Sequence, residues 1–240
     1  QDDELMWPAR FSAEAVERLK KAMGPYAAAA QLQQTPVPRK GGLIQVDGIK
    51  VVDDLPDEPF IAVRAWDLAA SEGAGAYSVG VLMYYGQESE QFYVVDVKRA
   101  QLGGGAVRKL INDTAQEDGM ATKIILPQDP GAAGKVVVED LIAGLAGYNA
   151  RAEPQSGAKT TRAEPFAAQV EIGKVTVLKR TWTKAFLDEL RFFPKSKYMD
   201  QVDSVSSAFN ALAPMTRTKA RKKPMLMVVG EKQDNLAKAV

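Results

Sequence analysis

Four aspartates stand where a folded chain would leave a strand or enter a helix. They are Asp67 in Ala65-Trp-Asp-Leu-Ala69, Asp129 in Pro127-Gln-Asp-Pro-Gly131, and Asp200 and Asp203 in Tyr198-Met-Asp-Gln-Val-Asp-Ser204. Carboxylates gathered in space are the natural ligands of hard divalent cations. Two such ions about 3.5–4 Å apart can activate a water and stabilise the leaving oxygen of a phosphodiester. Other chemistries are closed by composition. The chain has no histidine and no cysteine, which excludes histidine bases and ligands, Ser-His-Asp triads, thiolate zinc sites and a cysteine nucleophile. What remains is carboxylates, lysines, hydroxyls and oxygen-bound metal.

Taken singly, each aspartate also has an ordinary structural account. Asp67 can accept backbone hydrogen bonds from the Ser-Glu-Gly turn that follows it. Asp129 can cap the next helix or form an Asx-turn before Pro130. Asp200 suits an N-cap, and Asp203 a first-turn charge favoured by the helix dipole. The functional reading rests on the combination. The positions fall at the end of the first strand, the end of the fourth and the start of the last helix. A spacing of three puts Asp200 and Asp203 on one helical face. If strand four lies beside strand one, all these ends meet, and the unneutralised cluster must push at least one pKa upward.

The elements that would position them follow from periodicity. Residues 60–68 (FIAVRAWDL) form a nearly continuous apolar run, as expected of a central strand covered on both faces. Residues 77–85 and 91–98 read as two further strands joined by a short polar turn, an antiparallel meander. Helices are predicted over 106–116, 135–146, 162–172 (with Pro165 in its first turn), 182–193 and 201–212, and strands over 123–126 and 173–178. Residues 148–161 read as a polar loop. The order β-β-β-α-β-α-α-β-α-α predicts an α/β fold: a mixed five-stranded sheet, a meander followed by βα units, flanked by helices. Asp96, at the end of a strand, reads as structural, and Trp182 and Phe186, four apart, as core.

The 240 residues, 46% apolar and 25% charged, are enough for one large domain with extra segments. Residues 1–58 read as a partly helical linker or tail, with a helix over 11–23 that Ser12 would cap and Gly24-Pro25 would end. The main domain is expected over 59–213, and a basic tail over 214–240. The net charge is +1, so any DNA-binding surface must come from local asymmetry. No apolar run approaches the roughly 20 residues that span a bilayer, and the first residues do not resemble a secretory signal. Gly131-Ala-Ala-Gly-Lys135 fails the phosphate-loop pattern, because Asp129 stands at its first glycine and Val136 at its Ser/Thr. No ATP hydrolysis is expected. Gly103-Gly-Gly105 fails the dinucleotide pattern.

Residues of about 20–212 resemble the end of the motor part and the nuclease domain of the phage terminase large subunit. The resemblance lies in Gly24-Pro-Tyr with Gln31-Leu-Gln-Gln-Thr-Pro36, Arg64-Ala-Trp-Asp-Leu-Ala69, Gln128-Asp-Pro-Gly131, Lys159-Thr-Thr-Arg-Ala-Glu-Pro-Phe-Ala-Ala168 and Tyr198-Met-Asp-Gln-Val-Asp203, in that order. It implies a ribonuclease-H-like fold and acidic motifs at Asp67, at Asp129 and at Asp203 with Asp200, binding magnesium or manganese, with a two-metal site. Met199 stands where many members carry an acid. It also implies cutting of concatemeric double-stranded viral DNA with little sequence preference. The intact protein would have a preceding ATPase domain, portal and small-subunit partners, and a place in the cytoplasm of an infected bacterium. Lys159 and Arg162, in the family-like stretch, are candidate phosphate contacts, which position DNA without reading its sequence. Arg151 reads as an ordinary solvated loop cation. Two rival readings are a catalytically silent DNA- or portal-binding module and a resolvase- or transposase-like nuclease on the same fold.

Overall fold

The structure is a computed structural model and describes residues 42–69 and 75–220. The helix expected over residues 11–23 lies outside them. Among the described residues, seven strands form one sheet: β1 (Lys50–Val52), β2 (Phe60–Asp67), β3 (Ser78–Gly86), β4 (Phe92–Ala100), β5 (Lys123–Gln128), β6 (Asn149–Pro154) and β7 (Val175–Leu178). Their spatial order is β1-β7-β4-β3-β2-β5-β6. β2, β3 and β4 form the expected antiparallel meander, and β5 runs parallel to β2. Five α-helices of the described residues cover the sheet: α1 (Gly104–Asp118), α2 (Ala132–Ala143), α3 (Lys159–Glu171), α4 (Thr183–Phe192) and α5 (Asp200–Ala220). Among the described residues, no helix is long and apolar enough to cross a membrane.

The sheet divides the core in two. On one face Val63, Ala65, Val79, Val81 and Val94 pack against α3, α4 and α5 through Phe166, Phe186 and Phe209. On the other, Trp66, Ile124 and Leu126 pack against α1 and α2 through Ile111, Val138 and Leu141. The alternation Val63/Ala65 against Arg64/Trp66 is the period-two signature of a strand buried on both sides. Trp66 lies flat over its cross-strand partner Gly80, where an added Cβ would sit 2.8 Å from the indole. Any side chain there would displace the largest residue of the second core. One extra residue in β4 breaks the alternation, because Leu82 faces Asp96 while Met83 faces Val94. That bulge leaves Val94 and Val97 in the first core and turns Asp96 to the opposite face. There Arg64, 1% exposed, donates to Asp96 (2.9 Å), to both oxygens of Asp118 (2.7 and 2.6 Å) and to the Gly80 carbonyl (3.0 Å).

Four readings of the sequence are adjusted. The sheet has seven strands rather than five, because β1 and β6 add to its edges. β6 falls inside the stretch read as a loop over 148–161, and β1 inside the segment read as linker. Over its described part that segment packs on the domain. Ile44 and Val46 are buried in the first core, and β1 pairs parallel with β7. A boundary at residue 59 therefore falls between two strands of one sheet. Pro165 lies in the second turn of α3, since the helix starts at Lys159, three residues earlier than predicted. α5 continues through Pro214 to Ala220, past the predicted end at Leu212.

Candidate active site

β2 carries Asp67 out of the sheet centre at its carboxyl end, on the same face as Ala65, towards α5. A hydroxyl fixes that helix against the strands. Ser204 is fully buried. Its Oγ accepts the Val81 N–H (3.0 Å) and donates to the Ala65 carbonyl (2.9 Å), so it bridges two residues that face each other on β3 and β2. The first turn of α5 is held from the other side by Glu189 of α4, which accepts the Gln201 N–H (2.7 Å) and the Gln201 side-chain amide (2.6 Å). An N–H left without a partner by helix geometry is thereby satisfied. Burial pushes the Glu189 carboxyl upward despite these bonds.

Ser204→Ala removes the partner of a buried N–H, which costs about 1–3 kcal/mol. At about 2–4 °C per kcal/mol for a domain of this size, the melting temperature is expected to fall by roughly 2–12 °C. Thermal denaturation beside wild type checks this, and an unchanged midpoint would mean that the clasp contributes nothing.

Asp200 and Asp203 are 8% and 6% exposed. Asp200 accepts the Tyr77 N–H through Oδ2 (2.9 Å), so its carboxylate reaches across to the start of β3 instead of capping its own helix. Asp203 is engaged on both oxygens. Arg162 Nη2 donates to Oδ1 (2.6 Å), and the Lys159 ammonium lies against Oδ2. Both cations come from the first turn of α3. Burial alone would lower the Lys159 pKa, but the contact with Asp203 and the pull of Asp67 and Asp200 leave it raised. Asp67 shows the rise expected of a crowded cluster. Its carboxyl is pushed up to about 7, first by burial and then by the charge of Asp203. Asp200 adds to the rise, while Lys159 and Arg162 oppose it.

Asp67, Asp200, Asp203, Lys159 and Arg162 are thus brought together, and Asp129 stands apart. It follows β5 at the same end of the sheet, as expected, since β5 pairs with β2. The pairing of Ala65 with Ile125 places Asp67 level with Pro127. Asp129 is two residues farther on, about 7 Å at strand rise. It is exposed, and it is not among the charges acting on Asp67. It does not cap α2 either: Gly131 is the N-cap and no side chain bonds there. Among the described residues, no three acidic groups lie close enough together to form a ready-made metal shell. Sequence reasoning did not single out Ser204 or Glu189. A serine between Val202 and Val205 on an apolar helix face was a usable signal, whereas nothing local marks Glu189.

The family model described as "Terminase RNaseH-like domain" matches residues 64–212, a span that runs from Arg64 on β2 past Asp203 into α5. The chain belongs to this family. The terminase RNaseH-like fold is shared with three phage large terminase nuclease structures. That of P22 has 13% identity, covers 74% of this chain and 93% of its own, and has a TM-score of 0.54. That of the thermophilic phage G20c with bound magnesium has 16% identity, 72% and 98% coverage, and a TM-score of 0.53. That of Thermus phage P74-26 has 17% identity, 68% and 91% coverage, and a TM-score of 0.50. No curated protein matches the chain. At these identities the likeness establishes the fold of the terminase RNaseH-like domain. The chemistry rests on the side chains.

Proposed function

We propose that this terminase RNaseH-like domain is a divalent-metal-dependent endonuclease. It would cut concatemeric double-stranded viral DNA, with little sequence preference, during genome packaging. The observation that carries the reading is Asp67. A carboxylate at the carboxyl end of the central strand sits partly buried in the field of two further aspartates, and its pKa is raised, first by burial and then by their charge. Perturbed carboxylates cluster where chemistry is done.

The residues fit a hard cation. The donors are oxygens only, no histidine or cysteine competes for a softer metal, and the Lys159 ammonium already supplies positive charge against Asp203. Asp67, Asp129 and Asp203 would hold magnesium or manganese, one ion or two, with Asp200 assisting. Bound there, the metal supplies an activated water and charge neutralisation at the phosphate. The chain's own residues do the rest. Asp67 presents its carboxylate from a rigid strand, and the Ser204 clasp and the Glu189–Gln201 pair fix the α5 acids against it. Lys159 and Arg162 orient Asp203 and offer charge to a phosphate. Asp129 makes no hydrogen bond or ion pair among the described residues, so it is unencumbered for a role in binding. The reading further implies portal and small-subunit partners in the intact protein and action in the cytoplasm of the infected host.

The test is nicking and linearisation of supercoiled plasmid with Mg²⁺ or Mn²⁺, comparing wild type with Asp67→Ala and Asp129→Ala. Metal-dependent cutting that both substitutions abolish, in folded proteins, is the expected result. Cutting that survives both, or no cutting with either metal, would remove the assignment. A catalytically silent DNA- or portal-binding module is the second reading, favoured by the engagement of Asp203 on both oxygens. A melting temperature unmoved by Mn²⁺ would support it, since a ligand specific to the native state must stabilise that state.

A further inference from the structure

We propose that Arg99, Lys197, Tyr77 and Tyr198 form a second DNA contact, a ledge beside the carboxylates that grips the phosphate backbone of the duplex. The proposal rests on the nuclease reading above. The Arg99 guanidinium carbon lies 3.5 Å from the centre of the Tyr77 ring and 5.5 Å from that of Tyr198. The two tyrosines pack edge to face with centroids 5.0 Å apart. The Lys197 ammonium lies 5.2 Å from the centre of the Tyr198 ring. Both cations are exposed, and both rings are partly buried. None of the ion pairs among the described residues involves Arg99.

A guanidinium lying on a ring has its face occupied and the N–H groups of its edge still directed outward. That fork matches the oxygens of a phosphate, and stacking holds it in place before a ligand arrives. Less side-chain freedom is then lost on binding. The ledge is also tied to the site. The Tyr77 N–H is the donor to Asp200, and Tyr198 precedes Asp200 by two residues. The aspartates, two of them buried and Asp67 partly so, would by themselves repel DNA. The exposed charge of Arg99 and Lys197, hung on the neighbours of Asp200, offsets that repulsion where a strand would pass. With a net charge of only +1, DNA affinity must come from such local placement.

The experiment uses the full chain and a fluorescently labelled random-sequence duplex. Anisotropy is measured over a salt series in Ca²⁺, for wild type, Arg99→Ala, Arg99→Gln, Lys197→Ala and the Arg99→Ala/Lys197→Ala pair. Plasmid cutting in Mn²⁺ and thermal melting are measured alongside. Each lost phosphate contact should lower the slope of log affinity against log salt by about 0.9. Single variants are expected to bind about 5–10-fold more weakly, and the pair about 50-fold. In cutting, KM rises while kcat holds, as for an interaction made equally before and during the reaction. Arg99→Gln keeps a planar polar group, two atoms shorter, but lacks the charge, so it should bind DNA like Arg99→Ala while melting within about a degree or two of wild type. Unchanged affinity and slope in the paired variant would overturn the proposal, as would variants that lower only the melting temperature. A wild type that binds DNA but does not cut it would overturn the nuclease reading alone. If that wild type still lost affinity in the variants, the ledge would stand.

Discussion

Asp67→Asn is expected to abolish DNA cutting and, at the same time, to make the metal-free protein more stable near pH 8. The loss of cutting follows from removing the central carboxylate of the proposed metal site. Metal stabilisation of transition-state charge is worth several kcal/mol, and at about 1.4 kcal/mol per tenfold the rate should fall by roughly a thousandfold or more. The gain in stability follows from the carboxyl having its pKa raised from 3.8 to about 7 by burial and by Asp203. Between those values the folded chain holds a proton that the unfolded chain has released, so stability falls as pH rises. The contribution is fully present below about pH 4 and is lost as pH climbs through about 7. At roughly 1.4 kcal/mol per pKa unit the ceiling is about 4 kcal/mol. Partial exposure and relaxation should leave about half of it. The variant should therefore melt about 4–8 °C above wild type at pH 8 without metal, and should lose the decline between pH 4 and 7. Mn²⁺ should raise the melting temperature of wild type only. Melting curves across pH, with and without Mn²⁺, check all of this. An Asp67→Asn protein less stable than wild type at pH 8 would contradict the electrostatic account. Stability given up at a site for the sake of function is a common trade-off.

Arg64→Met is expected to be severely destabilising although it adds an apolar residue to an apolar neighbourhood. The guanidinium holds both oxygens of Asp118, whose side chain is 5% exposed, and one oxygen of Asp96. Removing one partner of a buried pair leaves an uncompensated charge, at about 3–5 kcal/mol. The melting temperature should fall by roughly 6–20 °C. Asp96 is less affected, because it is more exposed and Lys98 lies 3.7 Å away. The double variant Arg64→Met/Asp118→Leu tests the cause, since replacing a whole buried pair by apolar groups is often nearly neutral. Recovery of most of the loss is expected. A double variant no better than the single one would place the damage in packing around Trp66 instead.

The strands that pattern makes legible are those buried on both faces. β2 and β5 are apolar runs with no other sensible fate, and from them came the neighbouring ends that carry Asp67 and Asp129. β1 and β6 were not legible. The three residues of β1 are too few for a period, and β6, Asn149-Ala-Arg-Ala-Glu-Pro154, reads as polar because only an edge partner makes it a strand. The bulge in β4 has no local mark, so the meeting of Asp96 with Arg64 could not be foreseen. Within the site, the closeness of Asp67 to Asp200 and Asp203 followed from element order. The engagement of Asp203 by Lys159 and Arg162 depends on how α3 lies against α5, a tertiary fact. So does the offset of Asp129, which depends on strand register.

The short β1 also bears on how the molecule behaves among its own copies. β7, Val175-Thr-Val-Leu178, is wholly buried and rich in β-branched residues. Left as an outer strand it would be a template for pairing with another chain. β1 occupies that rim with Lys50, Val51 and Val52, and three residues are too few to recruit a further strand with any strength. At the opposite rim, β6 offers Arg151, Glu153 and a terminal proline, which cannot donate to a ladder. Both margins of the sheet are thereby poor at self-association, and the segment from residue 42 to 52 acts as a guard against aggregation as much as a part of the core.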